Sequence, residues 1–394
     1  MSHTTRNSGL LWIALAACAM LPGVLLAVAG LSAPDPLKAL VFGLAIIGAA
    51  FLLSWAAEAA QLDFSQGLAL ALLALIAILP EYVVDANFAW LAAEDPAYGS
   101  YALANMTGAN RLLIGIAWPL VVGIAWLRFR RRHIELEPGH RLELVVLLAA
   151  TIYAFTLPLK GTLSLIDMVV LVSMFGFYMW RVARMPAEPP HLVGPAQLIG
   201  ALTPSSRRLA TAALALGAAA GVILVAKPFA KALVNTGVAL GIDEFLLVQW
   251  LAPLASEAPE FVVVALFAWR GATSAALGTL VSSKINQWTL LVAMLPLVYS
   301  IARGQPDALI LDARQSEEVL LTAAQSLFAV TLLLNLRLGV LAAGTLFLLF
   351  VIQMVFPDTR LTVTALYGAL TVLNLARLAL EWRQGRQAPV EIRL

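Results

Sequence analysis

Apolar residues run through this chain in blocks of about 20, the length a helix needs to cross a hydrocarbon layer. Twelve such blocks are read, at 9–30, 37–60, 66–92, 99–127, 142–159, 162–182, 208–228, 243–269, 273–300, 316–336, 338–356 and 361–381. The polar stretches between them are short. Residues 185–207, rich in Pro, Arg and Ser, read as a linker between two halves, and residues near 305–318 as a polar loop. The first block has a short polar head and small residues after it, as a signal peptide would, but its apolar run is long for one, so a retained span is expected.

Polar residues inside the blocks carry the chemistry. One segment occurs twice, as Pro80-Glu81-Tyr82-Val83-Val84-Asp85-Ala86-Asn87-Phe88-Ala89-Trp90 and as Pro259-Glu260-Phe261-Val262-Val263-Val264-Ala265-Leu266-Phe267-Ala268-Trp269. The offset is 179 without a gap, and 8 of 11 positions are identical. The repeat continues on the next block, where Ser100-Tyr101-Ala102-Leu103-Ala104-Asn105 matches Ser274-Ala275-Ala276-Leu277-Gly278-Thr279 at an offset of 174. Each half therefore contributes a helical hairpin, with an acid on its first helix and small or polar residues on its second. A carboxylate in hydrocarbon is costly, so an intramembrane acid is by default a functional-site hypothesis. Two acids at equivalent places in two halves point to one shared site of the kind secondary transporters build from repeats.

Composition sharpens the class. Of 394 residues, 61% are hydrophobic and 12% charged, against about 25% charged in soluble domains. The expected fold class is an all-α polytopic membrane protein of about 12 helices. The net charge of +2 gives no reason to expect a nucleic-acid partner. Cys18, the single cysteine, excludes an intramolecular disulfide and a cysteine-rich metal site. His3, His133, His140 and His191 fall in predicted tails or loops, and no phosphate-binding Gly-rich loop occurs. ATP-driven transport by this chain alone, an enzymatic activity and a resident cofactor are not expected. The connections are too short for a large regulatory domain.

Lys and Arg set the orientation. The tails and even-numbered connections hold 15 of them, including Arg128, Arg130, Arg131 and Arg132, and the odd-numbered connections hold 7. Both termini are therefore expected in the cytoplasm, and the protein in the plasma (inner) membrane. The two Pro-Glu pairs lie in the third and eighth blocks, an odd separation, so their helices run in opposite directions and the repeats are inverted. The expected organisation is an extra helix in 1–36, a first five-helix repeat in 37–184 with its hairpin at 66–127, and a linker at 185–207. A second repeat follows in 208–356 with its hairpin at 243–300, then an extra helix and tail in 357–394.

Proline inside a helix removes a hydrogen bond and frees a carbonyl, which in a membrane needs another partner. A hard cation can be that partner, since it takes carboxylate, carbonyl and water oxygens together. The plainer reading makes each Pro a kink and each Glu a protonated structural group; the duplication favours an ion site.

The duplicated hairpins resemble the alpha repeats of the calcium/cation antiporter superfamily, which includes sodium/calcium and proton/calcium exchangers. Its pattern is Gly-Thr-Ser-x-Pro-Glu on one helix and Gly-Asn-x-x-Gly-Ser-Asn on the next. Here the first appears as Ile76-Ala77-Ile78-Leu79-Pro80-Glu81 and Ala255-Ser256-Glu257-Ala258-Pro259-Glu260. The second appears as Ala104-Asn105-Met106-Thr107-Gly108-Ala109-Asn110 and Gly278-Thr279-Leu280-Val281-Ser282-Ser283-Lys284. The resemblance implies an antiporter whose central cation-binding acids, and metal ligands, are Glu81 and Glu260. It makes Asn105, Thr279 and Ser256 neutral ligands, and gives Asn110 and Ser283 a packing or ligand role. The transported species would be calcium, sodium or protons, and the partners the bilayer and small inorganic cations, with the oligomeric state open.

The departures matter. Ala77 and Ile78 stand where the family has hydroxyls, Glu257 adds a carboxylate, and Lys284 replaces an Asn. Arg111 follows Asn110, and Asp85 lies one turn after Glu81 on the same face. Four candidate buried acids, Glu81, Asp85, Glu257 and Glu260, face two bases, Lys284 and Arg111. The expected pairings are Lys284 with Glu257 or Glu260 and Arg111 with Asp85 or Glu81, as part of coupling or as locks between helices. Fewer hydroxyls make a three-sodium stoichiometry doubtful. A sodium(potassium)/proton antiporter on the same scaffold and a non-transporting scaffold or sensor are the alternatives to calcium exchange.

Overall fold

The computed structural model describes residues 3–30, 32–63, 79–184, 192 and 194–384. The expected block 66–92 is described only from Leu79, and Ile76, Ala77 and Ile78 lie outside the described residues. In order, the elements are α1 (His3–Ala29), α2 (Asp35–Ala60), α3 (Leu79–Leu91), α4 (Ala97–Leu112), α5 (Trp118–Phe129), β1 (His133–Glu135), α6 (Arg141–Ala154), α7 (Thr156–Lys160), β2 (Thr162–Leu163) and α8 (Leu165–Val182). Then come α9 (Pro195–Gly200), α10 (Pro204–Leu240), α11 (Glu244–Trp269), α12 (Thr273–Asn286), α13 (Val292–Arg303), β3 (Leu309–Ile310), α14 (Ala313–Leu333), β4 (Arg337–Gly339), α15 (Val340–Val355) and α16 (Arg360–Arg383). Among the described residues, 9 helices are long and apolar enough to span, or 10 if α11, bent by 57° at Pro259, is counted as one. Of the other expected spans, 338–356 is the shorter helix α15, and 66–92 is only partly described.

Two compact units emerge, each drawn from both halves of the sequence. The first comprises Met1–Asn105 and Met179–Val262, the second Met106–Tyr178 and Val263–Leu394.

The first unit is built on α1, α2 and α10. Small residues let their backbones approach, as they do where helices associate in lipid. A Cβ on Gly48 would lie 2.3 Å from the Ala16 carbonyl oxygen, and one on Gly23 would lie 2.5 Å from the Ala45 methyl. The core joins Ala16, Leu52, Leu53, Trp55, Ala218 and Val222. Polar ties at both ends show that α2 and α10 are antiparallel. Asp63, just past the end of α2, accepts from Arg207 Nε at 2.6 Å and Nη2 at 2.8 Å near the start of α10. Asn235, near the end of α10, donates to Asp35 at the start of α2 at 3.2 Å. These two helices stand at the start of the two segments expected as repeats, and they run in opposite senses. Asp63 takes a second arginine, Arg208, at 3.1 Å. The Arg207 hydrogen bonds hold its carboxyl below the usual carboxylate range, against the opposing effect of its burial.

α10 runs 37 residues, about 56 Å at 1.5 Å per residue. That is longer than the expected 208–228 and longer than a hydrocarbon core, so α10 either tilts or projects from it. Pro228 does not end the helix; Gly241, at φ 63°, does. The expected linker is correspondingly shorter, since α9 and the first turn of α10 occupy its second half.

The second unit holds two short antiparallel ladders that the sequence did not reveal. β1 pairs with β4, and β2 with β3. Each ladder joins two connections of the same parity, even with even and odd with odd. The expected loop at 305–318 contains β3 and then the capping box that starts α14, in which Gln315 N donates to Asp312 Oδ1 at 2.7 Å and Asp312 N to Gln315 Oε1 at 3.1 Å. Asp167, near the start of α8, is fully buried, where its carboxylate accepts from Tyr153 Oη at 2.6 Å, from Ser164 and from Lys160.

Candidate functional site

The expected site residues divide between the two units. Glu81, Asp85, Asn105, Ser256, Glu257 and Glu260 fall in the first; Asn110, Arg111, Thr279, Ser283 and Lys284 fall in the second.

In the first unit, Pro80 and Glu81 open the described part of α3, which packs against α10 and α2. Glu81 is 3% exposed and Glu257 4%, while Glu260 is half-buried beyond the bend at Pro259. The bend has the physical cause expected of a proline in a helix. Asp85 is fully buried and accepts from Asn105 Nδ2 at 2.5 Å. That bond fixes the Asn105 amide, turning its donor to Asp85 and leaving Oδ1, which has no hydrogen-bond partner among the described residues, as an acceptor oxygen. Ser256 is buried, and its hydroxyl donates to the carbonyls of Ala252 at 3.3 Å and Pro253 at 3.2 Å. Among the described residues no group of three or more His, Cys, Asp or Glu could by itself hold a metal ion. A hard cation here would need amide, hydroxyl and carbonyl oxygens as well as the acids.

In the second unit, α4 and α12 each run into a single π turn, Leu113–Ala117 and Gln287–Leu291. The two turns are 174 residues apart, the offset of the sequence repeat. π turns recur at functional sites because they displace one residue from the regular helical register. Just before them stand Asn110 and Lys284, equivalent positions of the two copies, and they bond to each other. Lys284 Nζ donates to Asn110 Oδ1 at 2.6 Å and to its carbonyl oxygen at 3.1 Å, and lies 4.6 Å from the Trp288 ring centroid. Asn110 Nδ2 donates to Met106 O at 2.9 Å. The Asn110 amide is thus engaged at both ends. Thr279 is exposed with its hydroxyl turned back to Ala275 O at 2.9 Å, and Ser283 is half-buried.

Arg111 is 1% exposed. Its Nη2 lies 2.5 Å from Glu318 Oε2, its Nη1 donates to Gln353 Oε1 at 2.7 Å, and its Nε donates to Thr107 O at 3.3 Å. Glu318 and Gln353 were not singled out from the sequence, and the pairing found differs from the one expected for Arg111. The signals existed, an acid early in the block 316–336 and a lone amide in 338–356, but both resemble ordinary helix-end or packing residues. Trp90 and Trp269, which close the two duplicated segments, are both exposed, and Trp269 carries the Arg128 guanidinium 4.1 Å from its ring centroid.

Comparisons with known proteins agree with this architecture. A family model described as "Sodium/calcium exchanger protein" matches twice, over residues 37–183 and 210–357. A solved structure described as the H+/Ca2+ exchanger CAX is 43% identical, covers 96% of this chain and 97% of its own, and superposes with a TM-score of 0.91. YfkE, at 15% identity, 88% and 98% coverage and a TM-score of 0.64, shares the fold. So does the sodium-calcium exchanger NCX_Mj, at 17%, 80% and 96% coverage and 0.54. No curated protein sequence matches the chain. The twofold family match and the CAX likeness together make this chain a member of the sodium/calcium exchanger family, an integral membrane cation antiporter of the calcium/cation superfamily.

Proposed function

We propose that this antiporter exchanges calcium for protons by alternating access at a midplane site whose central ligands are Glu81 and Glu260. The observation that carries the reading is the duplicated Pro-Glu pair, inverted between the halves, in a chain 43% identical to a structure described as an H+/Ca2+ exchanger. Asn105 supplies an oriented amide oxygen, and Ser256 and Glu257 stand on the turn before Glu260. Asn110, Thr279 and Ser283 are assigned from the repeat pattern alone. Protons are favoured over sodium because Ala77 and Ile78 remove two hydroxyl ligands that sodium would use, whereas a carboxylate takes a proton directly. Empty, ionised acids oppose a crossing through low dielectric. Each passage therefore requires a cation or protons on the acids, and mutual exclusion at one site gives exchange. The excess of Arg in tails and even-numbered connections supports cytoplasmic termini in the plasma membrane.

The test is a paired-gradient flux assay in proteoliposomes. Calcium uptake driven by an outward proton gradient is expected. Sodium-dependent proton movement without calcium flux would instead establish a sodium/proton antiporter, and no flux in any pairing would leave a scaffold.

A further inference from the structure

The two ladders of the second unit begin before and after α6 and α7, and charge is handled differently at each. Near β2 and β3, Lys160 meets Asp167, Arg303 Nε lies 3.3 Å from Asp307 Oδ2, and Arg360 Nε lies 3.1 Å from Glu317 Oε2. Near β1 and β4, Arg337 Nη2 lies 2.8 Å from Glu135 Oε1. The other arginines there, Arg128, Arg130, Arg131, Arg132 and Arg270, are exposed and have no acid within ion-pair distance among the described residues.

The backbone holds this unopposed charge in place. Arg130 caps α5 in the left-handed conformation, φ 57°, with its N–H on Trp126 O at 3.0 Å. Glycine adopts that conformation without steric cost and arginine does not, so local preference does not explain a guanidinium here. Val340 N donates to Arg132 O at 3.0 Å, which ties the next residues to β4. Two rings carry guanidiniums: Arg128 Cζ lies 4.1 Å from the Trp269 ring centroid and Arg131 Cζ 5.6 Å from that of Phe129.

Depth identifies the anion. Leu120, Trp126 and Leu127 on α5 are exposed, as side chains turned to lipid are, and Arg128 follows directly. Exposed Trp269 marks the same level, since tryptophan collects at membrane interfaces. Lipid phosphates are concentrated at that level, and basic clusters beside a membrane helix attract anionic headgroups. A guanidinium fork matches two phosphate oxygens at once.

We propose that the β1–β4 end of the second unit binds the headgroup phosphate of an anionic phospholipid, with Arg128 and Arg131 held on their rings and Arg130 at the helix cap as its ligands. Such a site depends on neither the transported ion nor the sidedness of the protein in the membrane.

The experiment titrates delipidated protein in mild detergent with phosphatidylglycerol or phosphatidylcholine and weighs the complexes by native mass spectrometry, with unfolding temperatures measured on the same preparations. Wild type should bind phosphatidylglycerol in preference to phosphatidylcholine, and added salt should weaken the preference. Arg128→Gln/Arg131→Gln should lose affinity for phosphatidylglycerol by about fivefold per arginine removed. Arg130→Gly should lose about as much as one arginine while its unfolding temperature holds or rises, because glycine suits the cap. Arg303→Gln, which removes an equal charge beside the other ladder, should bind as wild type does. Should the double variant fail to fold, Arg130→Gly decides, and wild-type affinity in it overturns the proposal. Equal affinity of wild type for the two lipids, or an equal loss in Arg303→Gln, overturns it as well. Inorganic phosphate should compete no better than chloride at equal ionic strength; stronger competition would make this a site for free phosphate and overturn the lipid assignment.

Discussion

Helices α4 and α12 are copies whose backbones have kept step and whose side chains have not. Both pass from a regular helix into a π turn at the same repeat position. Around those turns the first copy has Asn110, Arg111 and Gly115, and the second has Lys284, Ile285 and Thr289. Gly115 admits the Phe350 ring, which a Cβ would meet at 2.3 Å, whereas Thr289 donates its hydroxyl to Ile285 O at 2.6 Å. Backbone geometry in lipid is constrained by the need to satisfy every amide, so two copies diverge slowly there. Each buried charge needs a partner within reach, and the two copies meet that need differently, the lysine on Asn110 and the arginine on Glu318.

The sharpest way to break the comparison is to remove the shared acids one at a time. Glu81→Gln and Glu260→Gln should each depress exchange by at least about a hundredfold, since even outer-shell partners of bound metals cost 10–100-fold. Both variants should remain in the membrane. Near-normal flux in either one, measured in proteoliposomes, would contradict the central assignment.

Lys284→Asn makes the second copy read like the first. It removes an ammonium that Asn110 now accepts, and it adds one negative charge to the balance of the buried groups. A change in the competition of sodium and protons against calcium uptake is expected, about tenfold in relative affinity. Identical selectivity and pH dependence would reduce Lys284 to a partner of Asn110.

Gly115→Ala tests the steric half of the difference. Overpacking of this kind costs about 1–3 kcal/mol, and a lowered unfolding temperature is the readout. Gly123→Ala, with nothing within 4 Å of the added methyl, is the control and should be neutral.

The smallest effect is expected at the α2–α10 tie. Because Arg207 holds Asp63 below its usual range, the contribution of this pair is complete above the ordinary carboxylate pKa and fades as pH falls through the lowered one. Asp63→Asn should lower the unfolding temperature slightly at neutral pH, where the ion pair is complete. The difference from wild type should vanish in strong acid; a constant difference across pH would point to packing instead.

Much of this was legible because hydrophobic length and internal duplication are properties of the string itself. The Pro-Glu pairs, their inversion and the family pattern needed no coordinates. Glu318, Gln353 and Arg360 were opaque for the opposite reason. Each sits hundreds of residues from Arg111 in sequence, and nothing local distinguishes an acid that meets a buried arginine from one that meets water. The β1–β4 and β2–β3 ladders, at two or three residues each, are too short to leave a period. The extra length of α10 was hidden by Pro228, which a membrane helix tolerates when neighbouring groups resatisfy the backbone.

The sequence by itself determined that the chain crosses a membrane many times, in two halves of opposite sense, with one acid repeated in each. Those follow from the cost of leaving apolar segments in water and charges in lipid, which composition and spacing already express. Only the tertiary structure decided which charge meets which. It put Asn105 on Asp85, Lys284 on Asn110 and Arg111 on Glu318. Charge partners are selected by distance and direction, quantities a linear order of residues does not contain.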